Sequence, residues 1–120
     1  MTALEIIEEV DAIEPNQYDV KQKLSWLANL DGQIANEINN THEGKKRRYY
    51  EYGDGDETLL VREPYAHDLY LNFLLAQIHN ANGETRRYAS AAAIYNNAYR
   101  QYSAWYNSTH MPKSAGDWRF

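Results

Sequence analysis

Apolar positions dominate one stretch of the chain, from Leu69 to Ile78, where only two strongly polar residues interrupt the run. A helix of this composition is normally buried on most sides. A buried strand is the alternative, but Pro64 and Gly83 frame a segment of helix length. Proline suits the first turn of a helix, and glycine suits the left-handed position just past its end. We therefore predict a central helix from Tyr65 to about Asn80, whose apolar run is too short to cross a bilayer.

Two amphipathic helices are predicted before it. Thr2 and Glu5 form a capping box that opens the first helix, and Pro15 ends it. Asp19, or alternatively Asn16, is placed to cap the second. The apolar residues of the second helix recur at steps of three and four, which is typical of one buried stripe: Val20, Leu24, Leu27, Leu30, Ile34 and Ile38.

A long last helix is predicted from about Glu84 to Asn107. The connection before it, Asn82-Gly83-Glu84, is so short that this helix must run antiparallel to the central helix. It carries two neighbouring stripes. The first, a core seam by our interpretation, is Ala91, Ile94, Ala98 and Trp105. The second, the tyrosine stripe, consists of Tyr88, Tyr95, Tyr99, Tyr102 and Tyr106. Tyrosine suits half-wetted protein interfaces, so we interpret this stripe as a contact with another subunit, with a tyrosine-lined core margin as the alternative.

Residues 47–62 have a different pattern, with aromatic and β-branched residues on both sides of Asp54 and Gly55. This pattern favours a β-hairpin, which would lean on the helices because an isolated hairpin is marginal in water. The predicted fold class is mainly α: a small bundle of about four helices with one β-hairpin excursion. We assign residues 1–111 to a single helical domain and residues 112–120 to a C-terminal tail.

Composition excludes several classes of function. The chain has 17 acidic and 12 basic residues, a formal charge of −5, which argues against a general nucleic-acid binder. It contains no cysteine, so neither disulfides nor thiolate chemistry are expected. The sequence begins without a basic region or a long apolar run, so we expect no signal peptide and a soluble, cytosolic chain.

No constellation of residues predicts catalysis. A calcium-binding EF-hand loop starting at Asp54 would need glycine and glutamate where Leu59 and Tyr65 stand. The histidines lack the spacing of a zinc site, and the sequence contains neither a phosphate-binding glycine loop nor a nucleophile elbow. We therefore expect no enzyme activity, no metal and no cofactor.

Two short segments suggest partners. One is a run of four cations, Lys45, Lys46, Arg47 and Arg48, which can touch phosphates or simply form a solvated loop. The other is the end of the tail, Trp118, Arg119 and Phe120. Two aromatic rings on a polar tail suit an anchor in a partner's pocket, and docking on the chain's own core is the alternative.

Several motifs resemble those of the head–tail connector proteins of long-tailed phages and their prophages. From Glu63 onward they are Glu63-Pro64-Tyr65, Asp68-Leu69-Tyr70, Ala76-Gln77-Ile78, Asn82-Gly83-Glu84, Arg87-Tyr88, Tyr95-Asn96-Asn97-Ala98-Tyr99 and the run from Trp105 to Pro112. Earlier ones are Pro15-Asn16-Gln17-Tyr18, Trp26-Leu27, Leu30-Asp31-Gly32 and Thr41-His42-Glu43-Gly44. The resemblance implies a virion structural protein that forms a ring of about twelve copies beneath the portal. Such a ring extends the DNA channel and meets the next neck or tail-completion protein, and the family has no catalytic residues.

The candidate segments fit such a ring. The tyrosine stripe and the polar hairpin are candidates for the two faces that join subunits, and the aromatic tail is a candidate for docking on the portal. The basic run is a candidate for contact with packaged DNA in the channel. The expected location is the virion neck, and the host cytoplasm during assembly, with no membrane contact. The alternative function is a bacterial or prophage-encoded helical DNA-binding regulator that acts through the basic run.

Overall fold

The computed structural model describes residues 1–42 and 50–110, and it confirms a mainly helical fold. Its four helices are α1 (Ala3–Ile13), α2 (Val20–Thr41), α3 (Ala66–Ala81) and α4 (Thr85–Thr109). Helix α3 packs along α4 and also contacts α1 and α2, so it is the central element, as predicted. Within these residues, no helix has both the length and the apolar character needed to span a membrane.

Local side-chain chemistry places the helix ends. The Thr2 hydroxyl accepts a hydrogen bond from the Glu5 backbone N–H, and the Glu5 carboxylate accepts one from the Thr2 N–H, which completes the predicted capping box. Asp19, rather than Asn16, caps α2 through the Gln22 N–H. Gly83 has a φ of 76° in the turn between α3 and α4, the left-handed conformation that glycine adopts without steric cost.

The core surrounds α3. Leu69, Tyr70, Leu74 and Ile78 on this helix are all 0% exposed. Helix α1 adds Ile6, Ile7 and Val10, and α2 adds Leu24, Leu27, Leu30, Ile34 and Ile38. The predicted apolar stripe of α2 is thus confirmed except at its first position, since Val20 is 43% exposed.

The predicted β-hairpin at residues 47–62 is not confirmed. Residues 50–62 contain no strand, and residues 47–49 lie outside the described part of the chain. The segment pairs with the start of α1 instead: the Leu59 N–H donates to the Met1 carbonyl oxygen at 3.0 Å, and the Ala3 N–H donates to that of Glu57 at 3.3 Å. An isolated antiparallel bridge joins Thr2 and Thr58.

Asp31 holds this irregular segment in place. Its carboxylate, fully buried in α2, accepts hydrogen bonds from the Tyr52 and Tyr70 hydroxyls and from the Leu60 N–H. The Tyr70 oxygen in turn accepts the Val61 N–H at 2.8 Å. The backbone donors of Leu60 and Val61 are therefore satisfied by side chains of α2 and α3, which removes the need for a partner strand.

A polar contact also joins α1 to α3. His67 Nε2 lies 2.7 Å from a Glu9 carboxylate oxygen, and this hydrogen bond is the main cause that raises the pKa of His67 above its ordinary value of 6.5. A histidine with a raised pKa in the folded state adds stability that is complete below pH 6.5 and lost as the pH rises through the raised value.

We therefore expect Glu9→Gln to lower the free energy of unfolding by about 0.5 kcal/mol at low pH, because both side chains are well exposed. The loss should fade as the pH rises through the raised pKa of His67 and the imidazole becomes neutral. Urea unfolding of both proteins at acidic and alkaline pH measures it, and a loss of equal size at both pH values would contradict the assignment.

Candidate interaction surface

Aromatic rings gather where α4 ends. We call this group the aromatic cluster: Tyr65, Tyr102, Trp105, Tyr106 and His110. The ring centroids of Tyr65 and Trp105 are 5.9 Å apart, and those of Tyr65 and Tyr102 are 6.0 Å apart. These separations are within the range of favourable aromatic pairs. The cluster thus ties the residue that precedes α3 to the last turns of α4.

The outer side of the cluster is partly open. Trp105 is half-buried, and the guanidinium carbon of the exposed Arg62 lies 4.9 Å from the centre of its ring. Such cation–π contacts are worth about 0.5–1 kcal/mol at exposed sites. His110 stacks on Tyr106 with 3.7 Å between centroids and 5° between planes. The surface offers flat apolar faces and one cation, which suits contact with another protein more than chemistry on a small molecule.

The phenols of Tyr95, Tyr99 and Tyr102 stay neutral at physiological pH. Burial raises the pKa of Tyr95 to about 12 and that of Tyr102 to about 12. The pKa of Tyr99 is raised as well, by burial first and then by the hydrogen bond that its hydroxyl donates to the Glu37 carboxylate at 2.6 Å. These hydroxyls can donate or accept hydrogen bonds, but none is prepared to act as a nucleophile or base.

A small polar cavity of about 100 Å³ lies beside the cluster, between α2 and α4. His42, which lines it, is 5% exposed and its Nε2 has no hydrogen-bond partner. The Thr41 hydroxyl donates to the Glu37 carbonyl oxygen, so it accepts from Nδ1–H of His42. The cavity has room for ordered water. Across residues 1–42 and 50–110, no three side chains are grouped in a way that could hold a metal ion.

Most tyrosines of the predicted stripe pack against other residues of the same chain. Tyr102 and Tyr106 are only 4% and 6% exposed, and the Tyr95 ring packs on Phe73 with 5.8 Å between centroids. Tyr88, at 39%, is the most exposed tyrosine of the stripe. The subunit-interface assignment stays a prediction, and Tyr88 is the position where a second chain has most access.

The neighbouring stripe was predicted to be a core seam, and at Ile94 this prediction is wrong. Ile94 is 50% exposed, Ala91 and Ala98 are buried, and Trp105 is half-buried. Helix α4 turns its tyrosines toward α3 and α2, because their rings fill the seam while a hydroxyl such as that of Tyr99 still finds a partner. Ile94 is therefore left half-exposed to solvent.

The two segments predicted to bind partners lie outside the described residues. They are the basic run, Lys45, Lys46, Arg47 and Arg48, and the tail end, Trp118, Arg119 and Phe120. Their assignments to DNA and to the portal therefore stay predictions. Since α4 ends at Thr109, the tail follows the aromatic cluster directly.

Sequence reasoning missed Arg62 and His110 as members of this surface. Both adjoin motifs that carry the resemblance, since Arg62 precedes Glu63-Pro64-Tyr65 and His110 belongs to the run that begins at Trp105. That adjacency was the available signal, but only the fold shows that the two motifs meet. In comparisons with known proteins, no family model, no curated protein and no solved structure matches this chain.

Proposed function

We propose that this chain is a structural subunit of a phage neck. About twelve copies form a ring beneath the portal, which extends the DNA channel and links the head to the tail or to the next neck component. The chain acts by binding other proteins and carries out no catalysis.

One observation carries the proposal. Two motifs that resemble those of connector proteins, Glu63-Pro64-Tyr65 and the run from Trp105 to His110, are distant in sequence but pack together, with Tyr65 and Trp105 5.9 Å apart. They form the aromatic cluster at the point from which the tail departs. A tail that binds a partner benefits from such a fixed base, because ordering fewer residues on binding costs less entropy.

The tail supplies the anchor. Trp118 and Phe120 can each bury a ring of about 150–250 Å² in a pocket on the portal. Two such rings at the centre of a small interface would account for most of its affinity. Repetition around a ring strengthens even a weak anchor, provided that all copies engage together.

A chain that ends at Met111 is therefore expected to stay folded but to lose its binding to the portal of the same phage. Trp118→Ala alone should weaken binding about tenfold or more, as expected for a central aromatic anchor. Co-sedimentation with assembled portal measures binding, and thermal melting of the free chain measures the fold. Lys113→Ala is the matched control in the tail and should bind normally.

Unchanged co-sedimentation of the truncated chain would exclude the anchor. A large fall in its melting temperature would show instead that the tail belongs to the subunit's own core.

The DNA-binding regulator is the second candidate, because four adjacent cations stand out in a chain of charge −5. A regulator would bind duplex DNA with sequence preference and with an affinity that falls steeply as salt rises. Electrophoretic mobility shift at two salt concentrations distinguishes this behaviour from binding only to assembled portal.

A further inference from the structure

The turn between α3 and α4, which the proposed function does not use, contains the pair Asn82-Gly83. An asparagine followed by glycine loses its side-chain amide especially readily, because glycine has no side chain to hinder its own backbone nitrogen. That nitrogen, after giving its proton to a base in the solvent, attacks Asn82 Cγ. Ammonia leaves and a cyclic succinimide forms. Water then opens the ring at either carbonyl, which gives aspartate or isoaspartate. Both residues are exposed, so water and base can reach them.

The folded conformation of the turn opposes this attack. Asn82 has a ψ of −4°, so the Gly83 nitrogen lies beside the Asn82 nitrogen in the view along the Cα–C bond. The Asn82 side chain leaves Cα about 120° away in that view, so Cγ is not in position to close the ring. Closure needs a large rotation of ψ. Two backbone hydrogen bonds resist that rotation: Gly83 N–H donates to the Asn80 carbonyl oxygen at 3.1 Å, and Glu84 N–H donates to that of His79 at 2.8 Å.

Side chains of the connection between α1 and α2 hold the Asn82 amide. The Tyr18 hydroxyl donates to Asn82 Oδ1 at 2.8 Å, and Gln17 Nε2 donates to the same oxygen at 3.4 Å. On the other side, the Asn82 amide nitrogen lies 3.5 Å from a Glu84 carboxylate oxygen. The Tyr18 ring packs on Trp26, with 5.6 Å between the ring centroids. Opening the turn therefore separates Asn82 from partners that are themselves held in place.

We propose that Asn82 is a site of spontaneous deamidation, that opening of the α3–α4 turn sets its rate, and that Tyr18 keeps the turn closed. The folded chain is converted only during these openings, so the rate of conversion follows the open fraction.

Conversion destabilises the turn. It places a carboxylate against Glu84 at the C-terminal end of α3, where the helix dipole disfavours negative charge. Isoaspartate also lengthens the main chain by a carbon atom in a turn in which Gly83 has a φ of 76°.

Ageing of the purified full chain tests this proposal. The chain is kept in mildly alkaline buffer, either folded or unfolded in guanidinium chloride, and mass spectrometry of the tryptic peptide that ends at Arg86 locates each conversion of an amide to an acid. Asn82 should convert at least about tenfold faster in the unfolded chain than in the folded one. Asn80 lies in the same peptide but precedes alanine, so it should convert far more slowly than Asn82 in the unfolded chain.

Matched variants test the part played by Tyr18. Tyr18→Phe should raise the rate in the folded chain about fivefold, because the loss of one hydrogen bond raises the open fraction by about that factor. In guanidinium chloride this variant and the wild-type chain should convert equally fast. Tyr52→Phe is the control, since it removes a hydroxyl that binds Asp31 and not the turn, and it should leave the folded rate unchanged. Converted chains, separated by ion exchange, should melt a few degrees lower than unconverted ones.

Several results would overturn the inference. Equal rates for the folded and the unfolded chain would show that the turn does not protect Asn82. Equal folded rates for Tyr18→Phe and Tyr52→Phe would mean that Tyr18 has no special part in keeping the turn closed. Conversion of Asn80 as fast as that of Asn82 in the unfolded chain would remove the assignment to Asn82. The same melting temperature for converted and unconverted chains would exclude an effect on the turn. None of these measurements involves portal, so they are independent of the proposed function.

Discussion

Asp31→Asn is expected to lower the free energy of unfolding by about 2–4 kcal/mol. The Asp31 carboxylate accepts two tyrosine hydroxyls and one backbone N–H in a fully buried position. An amide keeps one oxygen, but its NH2 group faces at least one of these donors and leaves it unpaired. Urea unfolding of the variant beside the wild-type chain measures the loss.

Tyr52→Phe is the control, because it removes one donor and leaves the carboxylate in place. It should cost about 1 kcal/mol, less than the Asn variant. Tyr70→Phe should cost more than Tyr52→Phe, because it also leaves the buried Val61 N–H without its acceptor. A loss for Asp31→Asn no larger than that for Tyr52→Phe would contradict the unpaired donor in the Asn variant.

Asp31→Asn should also change how the free energy of unfolding depends on pH. Burial raises the pKa of Asp31 above its ordinary value of 3.8, against the opposing effect of its three hydrogen bonds. The folded chain then binds more protons at this site than the unfolded chain, so its contribution to stability falls as the pH rises from 3.8 through the raised pKa. The Asn variant should lack this slope, and parallel stability curves for the two proteins over that window would contradict a raised pKa.

Asp11→Ala is expected to cost about 2–3 kcal/mol, slightly less than breaking a fully buried ion pair. The ammonium group of Lys23 is 2.6 Å from the Asp11 carboxylate and its side chain is 2% exposed, whereas that of Asp11 is 39% exposed. Removing the carboxylate therefore leaves a buried cation without its anion. Lys23→Met should cost less, about 1 kcal/mol, because water can still reach Asp11.

The double variant, Asp11→Ala with Lys23→Met, provides the decisive comparison. It removes the buried charge together with its partner, so it should be more stable than Asp11→Ala alone by about 1 kcal/mol in urea unfolding. A double variant less stable than either single one would mean that Lys23 contributes through its packed aliphatic stem and not through its charge.

The helix ends could be predicted from sequence because they depend on near neighbours. The capping box joins Thr2 to Glu5, Asp19 caps through Gln22, and Gly83 ends the turn after α3. Each of these signals acts within a few residues, and no distant contact competes with it. The long apolar run likewise predicted a central helix, because no other element of the chain could be buried on so many sides.

The conformation of residues 50–62 could not be predicted, because its backbone is satisfied from far away. The Leu60 N–H donates to Asp31, which is 29 residues distant in the chain. A turn signal at Asp54 and Gly55 was present, but the local pattern gives no sign that a buried carboxylate on α2 replaces the partner strand.

The orientation of α4 was misjudged for a related reason. Apolarity alone predicts a buried Ile94 and wetted tyrosines, yet Ile94 is half-exposed and Tyr102 is buried. The rings of the tyrosines are large enough to fill the seam, and Tyr99 keeps its hydroxyl bonded to Glu37. Which stripe of α4 faces inward depends on such distant partners, and the spacing of residues along the helix contains no information about them.

The packing of α1 on α3 has a consequence for the order of folding. Helix α1 ends at Ile13, and α3, with which it makes more extensive contact than with α2, begins only at Ala66. At about 5–20 residues per second, translation takes roughly 3–10 s to pass from one to the other. During that interval α1 has only α2 to pack against, whereas α3 and α4 adjoin each other in the chain and can pair as soon as both are made. The first helix to be synthesised therefore stays partly uncovered until α3 has followed it.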